Sequence, residues 1–140
     1  GRMLSNPDCE LCTHRGAVIW ETDRCRVIRV DDPLLPGFCR VIWTAHVREM
    51  TDLAANDRDH LMRVVWALEA ALRACYQPDK INLASFGNVV PHLHWHVIPR
   101  WTDDAFFPEP IWGKRQRDDS PQRHQVSDQD LAARIQAMYR

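Results

Sequence analysis

Apolar positions recur along the chain with two different periods. Between residues 57 and 76, Leu61, Val65, Leu68, Leu72 and Cys75 fall at helical spacing, while Asp59, Arg63, Glu69 and Arg73 are polar. That alternation predicts one long amphipathic helix packed on a core. Asn56 is placed to cap it, Asp57 and Asp59 suit the positive end of its dipole, and Pro78 ends it. Shorter apolar runs predict strands over 17–21, 25–30, 38–43, 80–86 and 92–100. They are separated by Thr22-Asp23-Arg24, by the turn-rich 31–37 and by Gly87-Asn88. Residues 101–113 are irregular and rich in aromatics and prolines, and 114–125 read as a flexible polar linker. Ser127 caps a short final helix with Leu131, Ile135 and Met138 on one face. The expected class is α+β, an antiparallel sheet of about five strands with one long helix and shorter ones. The expected division is a domain over 1–113, followed by a linker and terminal helix over 114–140.

A chain of 140 residues fits one domain with one core. Formal net charge is −1, so bulk charge gives no reason to expect a nucleic-acid or membrane partner. No run approaches the roughly 18 apolar residues that span a bilayer. The stretch Gly1-Arg2-Met3-Leu4-Ser5-Asn6-Pro7 has no signal-peptide core, so a cytoplasmic location is expected. Five cysteines, an odd and widely spaced set, argue against a disulfide framework. Cys25, Cys39 and Cys75 lie in apolar stretches and read as core, whereas Cys9 and Cys12 form a C-x-x-C pair.

The run His92-Leu93-His94-Trp95-His96 holds three of the seven histidines in five positions. On a strand, alternate residues share a face, so these imidazoles would project together about 6–7 Å apart. Three readings compete at this point: a polar strand face, a metal site built on H-x-H, and a catalytic cluster.

The surrounding segment Asn82-Leu83-Ala84-Ser85-Phe86-Gly87-Asn88-Val89-Val90-Pro91-His92-Leu93-His94-Trp95-His96-Val97-Ile98-Pro99-Arg100 resembles the signature of the histidine-triad (HIT) nucleotide hydrolases and transferases. That motif is His-x-His-x-His followed by two apolar residues, after a glycine-containing turn. The resemblance covers roughly residues 9 to 112 and implies a HIT-like fold. It also implies hydrolysis at the α-phosphate of an adenine nucleotide, a phosphoramidate or a dinucleoside polyphosphate, through a nucleotidyl-histidine intermediate. His94 takes the role of nucleophile and His96 donates to the phosphate or bridging atom. Physics agrees with the first assignment: a neutral imidazole has a free lone pair near pH 7, and a backbone carbonyl on its other nitrogen would set the tautomer. Asn82 and Asn88 are implied phosphate or sugar contacts, although Asn88 is also a natural turn residue after Gly87. Asp31 is the implied ribose contact, although Asp31 and Asp32 also read as solvated turn formers. The alternatives are a nucleotidyltransferase, which typically lacks the third histidine, and a non-catalytic nucleotide-binding module. A small-molecule nucleotide partner and a homodimer are implied as well.

This chain departs from the pattern at two places. Val89 stands where a Ser or Thr often protonates the leaving group, and Phe38 stands where a fourth histidine is common. The resemblance further implies a structural zinc site of Cys9, Cys12, His46 and His92, stapling the N-terminal segment to the sheet. A vacant or redox-sensitive C-x-x-C is the other reading of the pair. His14, His60 and His124 read as plain surface residues.

Overall fold

The computed structural model describes residues 5–13 and 17–140. His14 and residues 1–4 lie outside the described residues. The strands are β1 (Val18–Glu21), β2 (Cys25–Arg29), β3 (Cys39–Trp43), β4 (Lys80–Ala84) and β5 (His94–Arg100). The helices are α1 (Glu10–Thr13), α2 (Ala55–Tyr76) and α3 (Asp128–Met138). All strand pairs are antiparallel, in the order β1-β2-β3-β5-β4. The expected α+β architecture is thus the one observed.

Strand alternation divides the sheet into two unlike faces. Cys25, Val27, Cys39, Val41, Trp43 and Val97 point toward α2 and join Leu61, Val65, Leu68 and Leu72 in the main core. The opposite face carries Ile42 and Ile98 in two smaller clusters, together with Arg40, His94 and His96. Apolar residues on both faces explain why the strands read as near-continuous apolar runs.

Several boundaries differ from the expected ones. Helix α2 begins at Ala55, and its cap position, Ala54, makes no side-chain capping bond. Asn56 therefore lies inside the first turn and is not the cap. The helix stops when Gln77 adopts a left-handed conformation (φ 51°) and its N–H bonds to Arg73 O. His60, expected at the surface, is buried, with Nε2 2.9 Å from the Thr22 hydroxyl.

The stretch after residue 113 is tied to the body of the protein. The amides of Gln116 and Arg117 bond to Ala105 O, and the Arg29 guanidinium reaches Val126 O (2.7 Å) and Asp128 (2.8 Å). Ser127 caps α3 by accepting from Asp130 N (3.1 Å). Leu131 and Ile135 of α3 are fully buried in the main core, against α2 and β1. Sequence reasoning reads 114–125 as a flexible linker because its apolar residues are few. Its bonds are made instead by backbone groups and by arginines distant in sequence.

Candidate active site

Strand β5 begins at His94, two residues later than the pattern suggests, and this separates the three histidines. His92 precedes the strand; its amide bonds to Val90 O, and Leu93 bonds to Val47 O. The His92 ring is fully buried and points to the N-terminal segment. Of the three, only His94 and His96 lie on β5, where they share the face away from α2 and line a cleft of about 490 Å³ with Arg40, Phe86, Asn88 and Trp112. The expectation that all three rings project together therefore holds for two of them.

His94 is held by its own chain. Its Nδ1 lies 2.5 Å from His92 O. A carbonyl only accepts, so Nδ1 carries the proton and Nε2 is left as the free nitrogen. Burial pushes the His94 pKa down, the bond to His92 O opposes this, and the charge of Arg40 adds to the fall. The ring is consequently neutral at pH 7, with a lone pair on Nε2.

His96 is packed among aromatic rings: Trp112 at 4.9 Å, His94 at 5.0 Å, Phe38 at 5.8 Å and Phe86 at 6.1 Å between centroids. Phe86 and Trp112 meet edge-on at 4.8 Å and are both half exposed at the rim. Burial, then the charges of His94 and Arg40, push the His96 pKa down to about 4. Its Nδ1 is buried without a hydrogen-bond partner among the described residues.

The other expected residues lie in different places. Asn88 lines the cleft. Asn82 sits on β4 beside β5, but its carbonyl oxygen accepts from Arg100 (2.7 Å) and it does not line the cleft. Arg100 is in turn paired with Asp104 at 2.8 Å, deep in the protein. Asp31 is exposed and away from the cleft wall, and the neighbouring Asp32 accepts from Leu34 N in a local turn. Sequence reasoning missed Arg40, Trp112, Phe86 and Glu10 as cleft residues. The alternation of β3 against β5 carried a signal for Arg40; nothing in the sequence carried one for Trp112, which arrives from an irregular segment.

Beside this cleft, Cys9, Cys12, His46 and His92 bring one ligand atom each within 4.8 Å of one another. The Cys12 Sγ–His92 Nδ1 distance is 3.3 Å, Cys9 Sγ–His92 Nδ1 3.5 Å, Cys12 Sγ–His46 Nδ1 3.4 Å and His46 Nδ1–His92 Nδ1 3.2 Å. A tetrahedron with bonds of about 2.0–2.3 Å has edges of about 3.3–3.8 Å, and these four separations lie in or next to that range. His92 donates Nε2–H to Trp43 O (2.5 Å), which leaves Nδ1 as a lone pair facing the other three. This group can hold a metal ion, and it joins α1 to the sheet.

A protein-family model of the HIT domain matches residues 13–103. An AP-4-A phosphorylase of Mycobacterium tuberculosis is 29% identical over 89 residues, which make up 59% of this chain and 46% of that protein. A bis(5'-adenosyl)-triphosphatase of Saccharomyces cerevisiae is 28% identical over 75 residues, 49% of this chain and 36% of that one. The chain thus spans less than half the length of both relatives. The crystal structure of a histidine triad protein from Bradyrhizobium japonicum is 27% identical and superposes with a TM-score of 0.71, covering 88% of this chain and 90% of the other. With the family model spanning more than half of its length, and with two neighbouring imidazoles lining one cleft, the chain belongs to the HIT-domain family.

Proposed function

We propose that this protein hydrolyses adenine nucleotides at the α-phosphorus, with His94 as nucleophile. One observation carries the reading: Nδ1 of His94 is committed to a backbone carbonyl, so the free nitrogen of a neutral ring faces a nucleotide-sized cleft. The Nε2 lone pair forms a bond to phosphorus while the bond to the leaving group breaks, its electron pair departing with that group. The imidazole of the nucleotidyl-histidine is then positively charged, and its Nδ1–H remains shared with His92 O. Water attacks phosphorus, the P–N bond breaks with its pair returning to Nε2, and a proton passes to solvent. His96 offers an N–H, and Asn88 a carboxamide, to oxygens whose charge grows in the transition state. The names of the two relatives favour a dinucleoside polyphosphate as substrate.

The Cys9, Cys12, His46 and His92 group is read as a structural zinc site. Its two thiolates and two imidazoles suit that ion, and four protein ligands leave no open position for chemistry. When bound, the ion ties α1 to the loop that precedes β5.

The test is incubation with adenosine phosphoramidates and diadenosine polyphosphates, beside a His94→Ala control. AMP release from the unaltered protein, a nucleotidyl adduct on His94 by mass spectrometry, and a loss of about a thousandfold or more in the control are expected. No release and no adduct from any substrate would sink the enzymatic reading. The phosphorylase relative motivates one further arm. Excess phosphate that diverts AMP into ADP would identify a nucleotidyl transfer instead.

A further inference from the structure

Arg40 lies on β3 directly opposite His96 of β5, so its side chain leaves the sheet on the face of both cleft histidines. It lines the same cleft. Its side chain is half-buried, and its Nε is shut off from solvent with no hydrogen-bond partner. Among the described residues it forms no ion pair, and its guanidinium rests 5.8 Å from the centre of the Phe38 ring. Arg29 and Arg100, in contrast, are each tied down by several bonds to side chains and carbonyls. A half-buried cation that forms no ion pair loses hydration, and its ring contact and a carboxylate elsewhere in the cleft offset only part of that loss. Burial accordingly lowers the Arg40 pKa, with the charge of Glu10, another cleft residue, opposing, and the Arg40 charge is felt at both His94 and His96.

The chemistry of the wall adds an independent observation. Among the described residues lining the cleft, none carries a hydroxyl, a thiol or an ammonium group. Val89, at the mouth, is almost fully exposed and has no proton to give. An amine leaving group needs a proton in order to depart. A phosphate leaving group departs as an anion and needs a fixed positive charge.

We propose that Arg40 recognises the phosphate chain of the substrate, and that it selects a phosphoanhydride, with at least one phosphate beyond the attacked phosphorus, over a phosphoramidate. A guanidinium fork can grip two oxygens of that neighbouring phosphate and neutralise the charge left on it when the bond to the α-phosphorus breaks. The selection rests on the His94 reading above; the anion site itself does not.

Two measurements separate these claims. Calorimetric titration with inorganic tripolyphosphate should show binding to the unaltered protein. Affinity should be about tenfold or more weaker in Arg40→Met and intermediate in Arg40→Lys, with folding of each variant checked by circular dichroism. In turnover, the preference for diadenosine triphosphate over adenosine phosphoramidate should fall by about tenfold or more in Arg40→Met. Equal affinity in the Met variant, or no tripolyphosphate binding to the unaltered protein, overturns the proposal. Should Arg40→Met fail to fold, Arg40→Lys and Glu10→Gln decide: weaker and tighter binding respectively support it, and unchanged affinity in both overturns it. Tripolyphosphate binding that depends on Arg40, without turnover of any nucleotide, would uphold the anion site and reject the hydrolase.

Discussion

His92 and His94 are two residues apart and both buried, yet their rings are held in opposite senses. His92 gives its Nε2 proton to Trp43 O and keeps a lone pair on Nδ1, facing two cysteines and another imidazole. His94 gives its Nδ1 proton to His92 O and keeps its lone pair on Nε2, on the cleft side. One region is a group of four side chains that could hold a metal ion; the other is a cleft lined by a neutral imidazole. Two imidazoles of like chemistry present opposite ring nitrogens because of which carbonyl each one meets. The regions are also joined, because the backbone oxygen of His92 holds the ring of His94.

Changes at the ligand set should have the largest effect on stability. Cys9→Ser/Cys12→Ser should abolish bound zinc, as measured by elemental analysis, and lower the unfolding midpoint by roughly 10 °C. His94→Ala should leave zinc content unchanged. If both changes lower the midpoint equally, the two regions are not functionally distinct. Strong chelation of the unaltered protein should reproduce the cysteine result and also reduce turnover, since His92 O would lose its anchor.

A smaller effect is expected from pH. The folded pKa of His96, about 4, lies below the value of about 6.5 for an unperturbed imidazole. Between those values the unfolded chain takes up a proton that the folded protein refuses. Stability therefore falls as pH drops from about 6.5 to about 4, by on the order of 3 kcal/mol from this group, and is insensitive to it above that window. His96→Phe should flatten that part of the profile in denaturant titrations at stepped pH. An unchanged slope would mean that His96 is protonated at no greater cost in the fold than outside it.

The smallest change in stability concerns the rim. Val89→Ser should alter stability by less than about 0.5 kcal/mol, because the residue is almost wholly exposed. It should raise turnover of phosphoramidates relative to polyphosphates, since it adds a hydroxyl to a wall that has none among the described residues. Equal change in both substrates would show that leaving-group protonation does not depend on that position.

Much of the architecture was legible in the chain. The amphipathic repeat of α2 and the apolar runs of β2, β3 and β5 follow from burial against a common core, a local pattern that side-chain spacing records. Arg100, Asp104 and Asn82 were not legible as a unit. Their bonds join β4, β5 and the turn that follows, and no short-range pattern encodes them. Helix α3 was legible as a capped helix with Leu131 and Ile135 on one face, but its docking against α2 and β1 was not.

The histidine run, the C-x-x-C pair and the strand alternation around Arg40 were written in the sequence, because composition and period are properties of neighbouring residues. The parting of His92 from its two companions was decided only by tertiary structure. The meeting of residues 9, 12, 46 and 92, which the family resemblance implied, took its geometry from the fold, and the arrival of Trp112 over His96 was decided there alone. Each depends on a carbonyl, a strand end or a loop supplied by a distant part of the chain, and hydrogen-bond geometry acts only once those parts are assembled.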